Sequence, residues 1–331
     1  MGNAHKNMNT SASPQVESDS CILLTGRSNP SLARNIASLL SEELYEPVTA
    51  FSDGEIRVKI PHNMRRRHVF IIQPTSSPVN ESLMELIFMI DAAKRSSAIE
   101  ITVMVPYFGY ARQDRKEMPR VPISSSVVAN MIVNAGANRI VTVDIHSEQQ
   151  QGFVGIPWDN LYGSSALLPV IKGKNLSELV VASPDKGGMT RATGYARRLG
   201  ASGVALVYKQ RDIQTSNESK ALGMIGDVKG KDVLLVDDML DTGGTIVNAA
   251  DYLKKEGARS IHVAATHGLF SADALEKINN SVIDEIFISD TISQKKEIVS
   301  HPKITMVTIA PLLAEAIRRI QTGESISSLI L

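Results

Sequence analysis

The sequence predicts an α/β protein built as two tandem, duplicated domains, each a mainly parallel sheet flanked by helices. Three observations lead there. From Cys21 onward, short β-branched runs alternate with stretches of helical periodicity. The strand-like runs are apolar throughout, the pattern of parallel strands buried on both faces. One layout also occurs twice. "VFIIQPTSSPVNESLMELIFMIDAAKRSSAIEITVMVP" and "VLLVDDMLDTGGTIVNAADYLKKEGARSIHVAAT" each give a strand, a turn-rich loop, a helix, a small-residue turn and a second strand. From Asp91 and from Asp251 the spacing matches without a gap. Repetition of this kind reads as a duplicated unit; two unrelated α/β units of generic composition are the competing reading.

The elements fall in order. Residues 1–20 are polar and lack an apolar core, the composition of a disordered tail and not of a secretory signal. Residues 21–163 form the first domain, with strands at "CILLTG", "HVFIIQ", "EITVMVP" and "RIVTVD" and a helix in "NESLMELIFMIDAAKRS". Residues 164–331 form the second, with strands at "ELVVASPD", "GVALVY", "DVLLVDD", "SIHVAATH" and "DEIFISD" and a helix in "GTIVNAADYLKKEG". The extreme C-terminus is expected to pack back on the first domain.

Composition narrows the function. In 331 residues, 43% are hydrophobic but only 5% aromatic, which suits sheets of Val, Ile, Leu and Ala. Lys+Arg and Asp+Glu are both 35, so a broad affinity for nucleic acid or for an anionic membrane is not expected. No apolar run reaches the roughly 18 residues of a membrane span. The single cysteine, Cys21, excludes an internal disulfide and any multi-cysteine metal site. These features point to a cytoplasmic protein whose anion sites are local.

One segment carries most of the chemistry. In "KDVLLVDDMLDTGGTIVNAADYLKK" a buried strand runs into Asp237, Asp238 and Asp241, then Thr242, Gly243, Gly244 and Thr245, then a helix. In parallel sheets ligands sit beyond the carboxyl ends of the strands. The glycines let backbone N–H groups approach an anion at a helix start, where the dipole favours negative charge. Thr242 and Thr245 add hydroxyl donors. Carboxylates would repel a phosphate, so they need another partner, either a sugar diol or a magnesium ion. A capped helix with an acidic first turn is the bland alternative. The first copy has Gln73-Pro74-Thr75-Ser76-Ser77 at the matching place, so only the second copy carries this type of site.

The acidic loop resembles the phosphoribosyl-binding signature of the type I phosphoribosyltransferase fold. Five further stretches occur in a fixed order along the chain: "FSDGEI", "PYFGYARQDRK", "VDIHSEQQQGF", "SPDKGGMTRA" and "THGLFS". Together, from Ile22 to Leu331, they resemble the ribose-phosphate pyrophosphokinases, or phosphoribosyl pyrophosphate synthetases. The resemblance implies two phosphoribosyltransferase-like domains and transfer of the diphosphoryl group of ATP to the 1-hydroxyl of ribose 5-phosphate, with Mg²⁺ as cofactor and release of AMP. No Gly-x-x-x-x-Gly-Lys-Ser/Thr loop is present, so ATP must be held by other means. The resemblance assigns ATP to Phe51, Asp53, Gly54 and Glu55 of a neighbouring subunit together with Arg112, Gln113 and His146. It assigns the metal to His146 and Asp185, with Asp144 a supporting acid. It assigns ribose 5-phosphate to Asp237, Asp238, Asp241, Thr242, Gly243, Gly244, Thr245 and Arg211. It makes Lys209 and Arg211, at the start of the loop "QRDIQTSNES", the cations that stabilise the transition state. Gly187-Gly188, before Thr190 and Arg191, reads as a second anion pocket.

The resemblance also implies a homo-oligomer, expected to be a hexamer, with a regulatory phosphate site at Asn63, Arg65, Ser325 and Ser327. Asn63 departs from the serine common there and Lys186 from a neutral residue or histidine. Two rivals share part of the pattern. A type I phosphoribosyltransferase would normally have one such domain and lack "FSDGEI" and "YARQDRK". A non-catalytic homologue of the synthetase would carry losses or insertions around Lys209 and Arg211.

Overall fold

The computed structural model describes residues 21–210 and 221–330. The polar tail, Arg211 and nearly all of the "QRDIQTSNES" stretch lie outside the described residues.

In the first half the apolar runs form β1 (Ile22–Thr25), α1 (Pro30–Leu40), β2 (Leu44–Tyr45), β3 (Val48–Ala50), β4 (Ile56–Val58), β5 (His68–Ile72), α2 (Val79–Arg95), β6 (Glu100–Val105), α3 (Ser124–Ala135), β7 (Arg139–Val143) and β8 (Trp158–Leu161). The second half continues with α4 (Ser164–Lys172), β9 (Val180–Ser183), α5 (Met189–Leu199), β10 (Gly203–Gln210), β11 (Ala221–Ile225), β12 (Asp232–Leu240), α6 (Gly244–Lys255) and β13 (Ser260–Gly268). It closes with α7 (Ala274–Asn279), β14 (Glu285–Ser289), α8 (Lys296–Val299), β15 (Ile304–Val307), α9 (Ala310–Thr322) and α10 (Ser327–Ile330).

Each half has its own sheet. The first runs β2-β1-β5-β6-β7-β8 and is wholly parallel. The second runs β11-β10-β9-β12-β13-β14-β15 and is parallel except for β11 at its edge. Without β11, the two orders correspond strand for strand, with β1 matching β9 and β5 matching β12. That correspondence supports duplication over chance likeness of two α/β units.

Both faces of each sheet are covered, which is why the strands are apolar throughout. In the first, Leu86, Met89 and Ile90 of α2 and Val128 and Ile132 of α3 bury one face. Leu32 and Ile36 of α1 pack on the other, beside Leu313 and Ile317 of α9. Helix α9 thus crosses from the second half to complete the first core. In the second sheet, Ile246, Ala250 and Leu253 of α6 cover one face; Leu167 and Ile171 of α4 and Tyr195 of α5 cover the other.

Candidate active site

The acidic strand is longer than its apolar run. β12 continues through Asp237 and Asp238, because β13 offers a parallel partner as far as Gly268. The two acids therefore lie within the ladder and not beyond it, a correction to the reading from sequence. On the other side, pairing with β9 stops at Leu235. That leaves Asp237 and Asp238 flanked by Arg191 of α5, 3.7 Å and 3.9 Å away.

Past Leu240 the chain turns through Asp241 and Thr242 into Gly243, which starts α6 in the left-handed region with φ of 75°. A side chain there would be strained. No side chain caps this helix. Its first-turn N–H groups are thus left for an external acceptor.

The first domain brings two loops to the same place. After β7, Asp144 adopts φ of 41° and turns the chain, and His146 places Nδ1 2.7 Å from Asp238. After β6, the turn through Tyr110, with φ of 66°, carries Arg112, whose guanidinium lies 2.7 Å from Asp241. Arg112 also donates to the Tyr107 hydroxyl. Gln113 accepts from Ser124 Oγ at 2.5 Å and supports the base of this turn. Cations of one domain thus meet carboxylates of the other at the carboxyl ends of both sheets.

The electrostatics follow from this crowding. Burial and the adjacent charge of Asp238 push the Asp237 carboxyl above the usual carboxylate range. Burial alone would raise Asp238 too. The hydrogen bond with His146 and the charge of Arg191 outweigh it and hold Asp238 low. The same hydrogen bond raises His146. For Asp241, desolvation is overcome by hydrogen bonds from Ser271 and Arg112, which hold the carboxyl below its ordinary value.

Asp185 sits just beyond β9 and accepts from Gly188 N at 3.0 Å, so it shapes the Gly187-Gly188 turn. Lys186 beside it is exposed, and nothing in the structure explains it. Phe51, Asp53, Gly54 and Glu55 form the exposed tip of the β3–β4 hairpin, closed by Phe51 N to Glu55 O at 2.8 Å and Glu55 N to Asp53 Oδ1 at 3.0 Å. Among the described residues, no hydrogen bond or ion pair joins this tip to the cleft. Asn63 Oδ1 accepts from Arg65 N at 3.0 Å. Ser325 Oγ accepts from Ser327 N at 3.2 Å. These are two local turns, and among the described residues no hydrogen bond joins one to the other. Lys209 lies in β10, its backbone paired with Leu222; Arg211 is outside the described residues.

Two family models match. One, described as the N-terminal domain of ribose phosphate pyrophosphokinase, covers residues 21–136. The other, described as a phosphoribosyl synthetase-associated domain, covers 207–331. The chain is 47% identical over 309 residues to the ribose-phosphate pyrophosphokinase of Vibrio cholerae, spanning 93% of this chain and 98% of that protein. It is 48% identical over 308 residues to the protein of the same name from Wolinella succinogenes, spanning 93% and 98%. The chain belongs to the ribose-phosphate pyrophosphokinase family.

The fold agrees with that membership. The crystal structure of phosphoribosylpyrophosphate synthetase from Mycobacterium smegmatis superposes with a TM-score of 0.85 at 37% identity, over 92% of this chain and 99% of that one. Two phosphoribosyltransferase-like domains are therefore the architecture here. Tyr107, Thr266 and His267 fall within stretches that the sequence singles out, "PYFGYARQDRK" and "THGLFS", but the sequence gives them no individual role, and only the meeting of the two sheets gives them partners.

Proposed function

We propose that the chain transfers the diphosphoryl group of ATP to the 1-hydroxyl of ribose 5-phosphate, giving 5-phosphoribosyl 1-pyrophosphate and AMP. The observation that carries this reading is the shared cleft. The phosphate-ready loop of α6 and its aspartates face Arg112 and His146 of the other domain, at 2.7 Å in each case. One domain supplies a sugar-phosphate cradle and the other the cations for a polyphosphate.

The sugar 5-phosphate takes the N–H groups and hydroxyls of Thr242, Gly243, Gly244 and Thr245. Asp237 and Asp241 take the ribose hydroxyls, with Asp238 fixing His146. Arg112 grips phosphate oxygens of ATP and Gln113 holds its turn. The adenine is completed by Phe51, Asp53, Gly54 and Glu55 of a neighbouring copy. The attacking 1-hydroxyl oxygen forms a bond to the β-phosphorus and gives up its proton to solvent, the bond from that phosphorus to the α,β-bridging oxygen breaks, and AMP leaves with that oxygen. Lys209 and Arg211 supply positive charge to the transferring group.

Mg²⁺ suits the donor set. Among the described residues no three His, Cys, Asp or Glu side chains converge as a ready-made metal cage. Mg²⁺ typically takes one or two protein ligands plus substrate phosphates and water, and dedicated cages are uncommon for it. His146 and Asp185 would hold it, and it would neutralise charge on the phosphates of ATP. The boundary between the domains is placed at 163/164. The working form is a cytoplasmic homohexamer, with a regulatory anion site shared between subunits at Asn63, Arg65, Ser325 and Ser327. No helix among the described residues is long and apolar enough to cross a membrane.

The test is purified chain with Mg²⁺, ATP and ribose 5-phosphate. AMP and phosphoribosyl pyrophosphate should form in equal amounts, and no AMP above blank across magnesium and phosphate concentrations would reject the reading. Light scattering after size exclusion tests assembly; a fully active monomer would remove the neighbour's role at the adenine.

A further inference from the structure

The end of β13 is irregular, and the irregularity faces the ATP half of the cleft. Its pairing with β14 shifts register between Ala265 and His267. The Thr266 carbonyl takes side-chain hydroxyls in the shifted stretch, Ser289 Oγ at 2.6 Å and Thr291 Oγ1 at 3.3 Å. Successive side chains of a regular strand point to opposite faces. A bulge re-aims them. Here Thr266 and His267 both reach the same turn of the other domain. Thr266 Oγ1 donates to Asp144 Oδ2. His267 Nε2 lies 3.0 Å from the Val143 carbonyl and 3.4 Å from that of Asp144.

That turn is held against a cost. Asp144 sits at φ of 41°, where most side chains are disfavoured. Its carboxylate also accepts from Gly163 N at 3.0 Å. A Cβ on Gly163 would fall 2.7 Å from Thr266 Cγ2 and 2.9 Å from Asp144 Oδ2, so the close approach needs glycine. The His267 ring, fully buried, meets the edge of Tyr107 with centroids 5.1 Å apart. Tyr107 in turn accepts from Arg112. One short strand end therefore supports both cationic arms, His146 through the Asp144 turn and Arg112 through Tyr107.

We propose that Thr266 and His267 are positioning residues for the ATP half of the reaction, holding the strained Asp144 turn so that His146 meets Asp238 and Arg112 stays over the cleft. The inference rests on the reading of the cleft given above. His267 acts as a neutral ring: Nε2–H donates to the Val143 carbonyl, and Nδ1 accepts from Thr291 Oγ1, 2.9 Å away. A residue of this kind acts through others, and displacement of reacting groups by about 1 Å commonly costs on the order of 100-fold in rate.

Three variants test it. Thr266→Val keeps the shape and removes the donor to Asp144. Thr266→Ser restores the hydroxyl. His267→Phe keeps a buried ring and removes both ring nitrogens. Steady-state kinetics against each substrate should show kcat/KM for ATP down about 10- to 100-fold in Thr266→Val and His267→Phe. The KM for ribose 5-phosphate should stay within about threefold, and Thr266→Ser should match wild type. Calorimetry should give the same division, with weaker binding of a non-hydrolysable ATP analogue and unchanged binding of ribose 5-phosphate. Wild-type kinetics in Thr266→Val, or equal losses against both substrates that Thr266→Ser does not repair, would overturn the inference and leave the functional reading standing. An inactive wild type would overturn both.

Discussion

The ends of β5 and β12 occupy matching places in the two domains, yet they treat charge in opposite ways. Beyond β5, Gln73 is wholly buried and donates to Glu85 at 3.0 Å. Glu85, itself buried, accepts from Arg27 N at 2.8 Å and from Arg27 Nε at 2.6 Å. Space is filled: a Cβ on Gly26 would lie 2.5 Å from Glu85 Oε2. The carboxylate is answered inside its own domain. At the end of β12, Asp237, Asp238 and Asp241 crowd together, and besides Arg191 of their own domain they draw the cations Arg112 and His146 from the other domain. One copy closed its strand end into structure. The other kept a like-charge cluster that the fold alone does not require, which is the mark of a binding site.

The largest effect should come from the cation on β10. This strand runs for eight residues and carries Lys209, whereas its counterpart β2 is the two-residue Leu44–Tyr45. Lys209→Ala should lower kcat by about 10²- to 10³-fold while ATP affinity changes little. A kcat within a few-fold of wild type would return Lys209 to ordinary surface charge, and the two strands would no longer differ in function.

Next comes the closed strand end. Glu85→Ala strips acceptors from Arg27 and the Gln73 amide, and should cost about 2 kcal/mol of stability in denaturant unfolding. The KM values should stay where they are. A changed KM for either substrate would show that the first strand end still takes part in binding.

The open strand end should respond in the opposite sense. Asp237→Asn keeps an acceptor for Asp238 N, 2.9 Å away, and removes a carboxyl that must hold a proton to sit beside the Asp238 charge. The metal-free, substrate-free protein should gain about 1 kcal/mol at neutral pH while ribose 5-phosphate binding weakens. The gain depends on pH. The carboxyl of Asp237 is raised in the folded state, so in the wild type its folded form keeps a proton that the unfolded chain has released. That contribution is complete below the ordinary carboxylate range and is lost as pH climbs toward the folded value. The advantage of Asp237→Asn in thermal melts should therefore be near zero at acid pH and grow upward from there. A constant advantage at all pH values would remove charge repulsion as its cause.

The smallest effect lies away from both strand ends. The Asn63 carboxamide already accepts from Arg65 N, which ties up its oxygen. Asn63→Ser should shift activation to lower phosphate concentration by a few-fold. Superimposable phosphate titrations would acquit Asn63 of any regulatory role.

Much of this molecule could be read in order along the chain. Unbroken apolar runs called for parallel strands, because side chains covered on both faces need no polar alternation. Val233, Leu234, Leu235 and Val236 form such a run, and all four are fully buried. Paired glycines after three aspartates marked Asp241 to Thr245 as an anion loop. Gly243 adopts φ of 75° there, a conformation that glycine takes without strain, and α6 starts with no capping side chain.

What only the tertiary structure decided is which loops meet. His146 and Asp238 are 92 residues apart, and Thr266 and Asp144 are 122 apart. Periodicity and spacing report on neighbours along the chain and are silent about how two finished sheets dock. The length of β12 was decided in the same way, by the partner β13 offered as far as Gly268. So was the unequal fate of Asp237 and Asp238. They are adjacent and identical in sequence, and they titrate in opposite directions because only Asp238 faces His146 of the other domain.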